Sequence, residues 1–136
     1  MIDSHISDIK WMKRAIYLAS LGKGRTSPNP MVGAVILDKN GNLISEGFHS
    51  KSGMPHAEAM AFNNVKKDAR NGTIYVNLEP CCHQGKTPPC VDKIISFGIK
   101  KVFISIEDPD KRVSGKGIKL LKDAGIKVHL GLCEKE

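Results

Sequence analysis

Trp11, Met12, Ala15, Ile16 and Ala19 recur three and four residues apart behind a candidate cap at Ser7, with Gly22 and Gly24 beyond. That period predicts an amphipathic first helix ended by the glycines. Two prolines and small polar residues over 25–30 read as a loop. A continuous apolar run over 31–37 has strand length, and Asp38-Lys39-Asn40-Gly41 is a turn signal before a hairpin partner over 43–49. A second helix is expected from Pro55 through Ala57, Ala59, Met60, Ala61 and Phe62. Downstream, β-branched residues predict strands over 73–78, 102–106 and 126–132, separated by helices over 90–97 and 115–124. Gly98 and Gly125 stop those two helices.

The order α-β-β-α-β-α-β-α-β joins one antiparallel hairpin to three strands linked by helical crossovers, which connect parallel strands. The predicted fold is therefore a three-layer α/β/α sandwich around a mixed five-stranded sheet. Its 136 residues suit a single domain over 1–136. With 40% hydrophobic and 26% charged residues, the composition is that of a globular chain.

Net charge is +7, from 21 basic and 14 acidic residues. Seventeen of the basic residues are Lys, spread along the chain, and no aromatic–basic alternation offers a base-stacking platform. A solvated basic surface with a small phosphate-bearing ligand is expected, without a nucleic-acid partner. No apolar stretch approaches the roughly 18 residues of a membrane span, and the N-terminus has no secretory core, so neither membrane nor export is expected. In the cytoplasm thiols stay reduced, and the four cysteines read first as metal ligands, nucleophiles or core residues.

The chemistry concentrates in Pro55-His56-Ala57-Glu58 and in Glu79-Pro80-Cys81-Cys82-His83-Gln84-Gly85-Lys86-Thr87-Pro88-Pro89-Cys90. One imidazole and two separated thiolates, His56, Cys81 and Cys90, make a borderline-soft set suited to Zn²⁺. His56 and Glu58 fall in the first turn of a predicted helix, where side chains tilt toward one point beyond its end. Zn²⁺ with two thiolates and neutral imidazole is formally neutral and leaves a position for water, whose pKa such a metal lowers to about 7. Glu58 would then sit beside that water as a proton carrier, the H-x-E and P-C…C pattern of zinc nucleobase deaminases. A closed structural site is the alternative, with Cys82, His83 or His49 as fourth ligand. Cys133, His5 and His129 have no motif around them and read as ordinary core, edge or surface residues.

Several strings together closely resemble the riboflavin-biosynthesis pyrimidine deaminases of the zinc cytidine/deoxycytidylate deaminase superfamily. They are Thr26-Ser27-Pro28-Asn29-Pro30-Met31-Val32-Gly33, His56-Ala57-Glu58 and the long P-C…P-P-C loop, supported by Gly47-Phe48-His49, Asp108-Pro109 and Gly115-Lys116-Gly117. Eight residues part Cys81 from Cys90, whereas the superfamily ordinarily has C-x-x-C, and that insertion separates this family from the tRNA- and DNA-editing deaminases. The resemblance implies a cytidine-deaminase-like fold and a hydrolase that deaminates 2,5-diamino-6-(5-phosphoribosylamino)pyrimidin-4(3H)-one at C2. It implies His56, Cys81 and Cys90 as zinc ligands and Glu58 as proton shuttle.

Three further residues are candidate substrate contacts, each with an ordinary alternative. Asn29 meets a pyrimidine or ribose edge or is a turn residue between two prolines. His49 lines the site or caps the hairpin, and Lys86 meets the phosphate or is one more exposed lysine. Family members often carry an NADPH-dependent reductase. No dinucleotide-binding glycine turn is found here, so a separate reductase and no NADPH binding are expected, together with a homo-oligomer.

Overall fold

In the computed structural model, residues 2–21, 32–48, 69–78, 90–106 and 115–132 are described. They comprise α1 (Ile2–Ser20), β1 (Gly33–Leu37), β2 (Leu43–Phe48), β3 (Thr73–Leu78), α2 (Cys90–Ser96), β4 (Lys101–Ile106), α3 (Lys116–Asp123) and β5 (Lys127–Leu130). The helix expected from Pro55 lies outside the described residues.

The strands form one sheet in the order β2-β1-β3-β4-β5. β1 is antiparallel to β2 and to β3, whereas β3, β4 and β5 run parallel. The apolar run of β1 is buried at every position because it lies inside the sheet with both faces covered. Alternation sorts the strand residues onto two cores. On one face, Ala34, Ile36, Ile74, Val76, Val102 and Ile104 pack with Val91 and Ile94 of α2 and Ile118 and Leu121 of α3. On the other, Val35, Leu37, Tyr75 and Phe103 pack with Met12, Ala15 and Leu18 of α1. The mixed five-stranded sandwich is as expected. Both crossover helices lie on one face, as same-handed parallel connections require.

Two boundaries differ from the sequence pattern. α1 begins at Ile2 and passes through Ser7, because nothing between Ile2 and Ser7 breaks the helix. β5 stops at Leu130, since Gly131 turns the chain with φ 101° while its amide still donates to the Ile104 carbonyl at 2.8 Å. Smaller shifts of one or two residues occur at β1, α2, β4 and α3.

An ion pair and a hydrogen bond tie α1 to the sheet, and an aromatic stack runs across the strands beside them. Arg14 donates to Glu46 of β2 through two nitrogens, at 2.5 and 2.9 Å, and this hydrogen-bonded partner raises the guanidinium pKa further. The Tyr75 hydroxyl donates to Asp8 at 2.5 Å. Tyr75, Phe103 and His129 stack across three strands at 4.7 Å spacings. His129 is thus an exposed strand residue whose ring extends this ladder to the sheet edge. Among the described residues no helix is long and apolar enough to cross a membrane.

Candidate active site

The motif-bearing segments attach to one end of the sheet. Because β1 opposes both neighbours, its first residue, Gly33, lies opposite Phe48, the last residue of β2. Leu78 and Ile106, the ends of β3 and β4, are paired at that same end. α2 and α3 descend from it, since each connects the top of one parallel strand to the bottom of the next. The carboxyl ends of parallel strands are where open α/β sheets bind ligands.

Cys90 is the first residue of α2. Cys81 follows Leu78 of β3 by three positions, and Lys86 lies between these two cysteines. His49 directly follows Phe48 of β2, with His56 and Glu58 further along the same connection. Asn29 precedes Gly33 of β1 by four positions. The side chains of His56, Glu58, Cys81, Asn29, His49 and Lys86 lie outside the described residues, as does Cys133, and for Cys90 the backbone alone is described. What the frame brings together is the set of strand ends from which these segments leave.

Gly33 is a fixed point of that frame. A Cβ there would collide with the Ala15 carbonyl oxygen and stand 2.7 Å from the Ala19 nitrogen, so only glycine lets β1 pass this close beneath α1. Its amide donates to the Asn77 side-chain oxygen on β3 at 2.9 Å. Sequence reasoning did not single out Asn77. The available signal was an amide residue in an otherwise apolar and aromatic strand, immediately before Leu78-Glu79-Pro80.

A family profile described as the cytidine and deoxycytidylate deaminase zinc-binding region matches residues 5–106. The chain belongs to this deaminase family. Within it, the chain is 50% identical over 131 residues to the diaminohydroxyphosphoribosylamino-pyrimidine deaminase of Buchnera aphidicola subsp. Schizaphis graminum, covering 96% of this chain and 88% of that protein. It is 50% identical over 129 residues to the riboflavin biosynthesis protein RibD of Aquifex aeolicus, covering 95% of this chain and 36% of that one. The crystal structure of a diaminohydroxyphosphoribosylaminopyrimidine deaminase/5-amino-6-(5-phosphoribosylamino)uracil reductase from Thermotoga maritima superposes with a TM-score of 0.92 at 49% identity, covering 97% of this chain and 38% of that chain. The chain therefore spans just over a third of the length of these RibD and deaminase/reductase proteins.

Proposed function

We propose that the chain catalyses hydrolytic deamination of 2,5-diamino-6-(5-phosphoribosylamino)pyrimidin-4(3H)-one, replacing the C2 amino group by oxygen and releasing ammonia in riboflavin biosynthesis. The observation that carries this reading is that, in a deaminase-family chain, the strand ends Gly33, Phe48 and Leu78, which adjoin the stretches bearing Asn29, His56-Ala57-Glu58 and Cys81, lie together at one end of the sheet. The 50% identity over 88% of the Buchnera deaminase supports the particular substrate. Residues 1–136 act here as one deaminase domain.

The donor set fits zinc. His56 supplies a neutral imidazole and Cys81 and Cys90 supply two thiolates, which balance the charge of Zn²⁺ and leave room for a reactant. When bound, zinc supplies Lewis acidity that makes a water acidic near neutral pH. Glu58 takes a proton from the attacking water and delivers it to the ring nitrogen beside C2, which makes that carbon electrophilic. After addition, Glu58 takes the remaining proton from the added hydroxyl and passes it to the departing amine, so that C2=O forms as the C2–N bond breaks. One water is consumed, the C2–N bond breaks and a C2–O bond remains. Asn29 and His49 orient the pyrimidine or ribose, and Lys86 offers a point charge to the phosphate.

The test is ammonia release by the zinc-loaded protein from the diaminopyrimidine phosphate, beside cytidine, guanine and tRNA. Turnover of the first compound alone is expected. Turnover of tRNA or cytidine instead would replace the substrate assignment, and zinc binding without any turnover would make the chain a non-catalytic zinc module.

A further inference from the structure

The main-chain ladder between β1 and β3 runs from Leu37 opposite Thr73 to Ala34 opposite Val76, and stops there. One position nearer the motif-bearing end, a side chain takes over the rung, as the Gly33 amide donates to Asn77 Oδ1 at 2.9 Å. Gly33 still pairs with Phe48 on its other side. Above it, the backbone of α1 at Ala15 and Ala19 leaves no room for a Cβ. Gly33 is therefore held from β2, β3 and α1 at once. The half-buried Asn77 interrupts a run of Ile74, Tyr75 and Val76, all buried, in a strand where Asn is intrinsically disfavoured. Its bond to Gly33 gives that substitution a use: without it the Gly33 amide would lack this partner at the end of the ladder.

The two bonded residues stand at the roots of two different segments. Gly33 ends the stretch carrying Pro28-Asn29-Pro30, whose other root is the end of α1. Asn77 lies four residues before Cys81 on the strand that leads to it. We infer that Asn77 is a positioning residue: its side-chain oxygen ties Gly33, the root of the stretch carrying Asn29, to the strand that leads in sequence to Cys81, and this tie serves the contact that Asn29 makes with the pyrimidine in the proposed reaction. The roles of Asn29 and Cys81 in this statement rest on the proposed deamination. Prior ordering of a contact lowers the cost of binding, and releasing the lock moves that cost into the substrate's association.

The variants Asn77→Leu and Asn77→Ala remove the acceptor, while Asn77→Asp keeps an oxygen in its place. In the zinc-loaded full chain, Asn77→Leu is expected to raise KM about tenfold, with kcat changed far less, and Asn77→Asp to restore KM. In an Asn29→Ala background the further loss from Asn77→Leu should nearly vanish, because both act on one contact. Amide exchange at Gly33, followed by NMR, should quicken in Asn77→Leu and not in Asn77→Asp. Asn77→Ala takes the same place if the Leu variant does not fold. Unchanged KM, a full additive loss in the Asn29→Ala background, or unchanged Gly33 exchange would each overturn the positioning role. A wild-type chain silent on the pyrimidine phosphate would refute the proposed reaction instead, and Gly33 exchange would then decide the lock by itself.

Discussion

The two ends of the sheet are built differently. At the end opposite the motif-bearing segments, connections are short and saturated with local hydrogen bonds. Asp38 accepts from the amides of Asn40 and Asn42, both at 2.9 Å, and Asn42 returns its carbonyl to the Asp38 amide at 2.8 Å. Asn71 adopts φ 62° and donates to the Gly98 carbonyl at 2.8 Å, while the Gly72 carbonyl accepts from Lys100 at 2.9 Å. These turns specify register and leave little freedom for chemistry. At the other end the strands lead into long connections at 22–31, 49–68, 79–89 and 107–114, three of which carry the candidate reactive groups. One end fixes the sheet, and the other uses it as a platform. Substitutions at the two ends should therefore separate stability from catalysis.

The largest separation is expected at Glu58. Glu58→Gln preserves shape and hydrogen bonding but cannot carry a proton, so kcat should fall about a hundredfold or more. Zinc content and thermal midpoint should stay near wild type. A zinc-replete Gln variant with near-normal turnover would move the base to another residue. Gly72→Ala is the counterpart at the turn end. Its new Cβ would collide with the Leu37 carbonyl oxygen and stand 2.8 Å from that of Ala69, costing about 2–3 kcal/mol of folding stability. The folded fraction should retain normal kcat. A Gly72→Ala enzyme that loses kcat at full stability would show that the two ends are not independent.

Lys86 offers a smaller and more selective change on the reactive side. Loss of one charge-assisted contact costs about 1.5–3 kcal/mol, so Lys86→Ala should lower kcat/KM for the phosphorylated substrate about tenfold to a hundredfold. Its rate on the dephosphorylated analogue should hardly change. Both proteins measured on both compounds isolate the contact, and equal losses on the two would assign Lys86 to loop structure, with Arg25 or Lys23 as the next phosphate partners to test.

The contrast also marks what a reader of the sequence could see. The turn end was legible because its signals are local: Asp38 to Gly41 closes the hairpin, and Gly98 and Gly125 stop helices within a few residues of the pattern they end. The strands were legible because burial on both faces leaves an unbroken apolar run in β1. The seating of β1 antiparallel beside β3 was not, since that pairing joins Ala34 to Val76 across a long stretch of chain. Without it, nothing in the spacing says that the roots of the Asn29 and Cys81 segments are neighbours. Asn77 was missed for the same reason, as its partner is 44 residues away. A cap at Ser7 misplaced the start of α1, because serine in mid-helix looks the same in sequence as serine at a boundary. The proposed metal and proton-carrying roles rest on residue type and spacing, and, the backbone of Cys90 aside, the residues that would fill them lie outside the described ones.

The smallest effect is expected at Tyr75, beneath α1 and away from the reactive end. Burial first, then the hydrogen bond to Asp8 and the Asp8 charge, hold its phenol above the ordinary value of 10.0. Below that value the folded and unfolded chains both keep the proton, and the contribution to stability is whole. Above it the unfolded chain releases the proton while the folded chain retains it, so stability falls as pH rises past about 10. Tyr75→Phe keeps the ring stacked on Phe103 and deletes only the hydroxyl that donates to Asp8. Asp8 is half-buried, so water can replace the lost donor, and the cost at neutral pH should be about 1 kcal/mol. Denaturant midpoints measured from neutral pH to about pH 11 should show a shallower alkaline decline for the Phe variant, with kcat at neutral pH unchanged. Parallel declines in the two proteins would mean that other groups govern the alkaline limb. A loss of kcat would mean that the ring ladder carries strain from this end of the sheet to the reactive one.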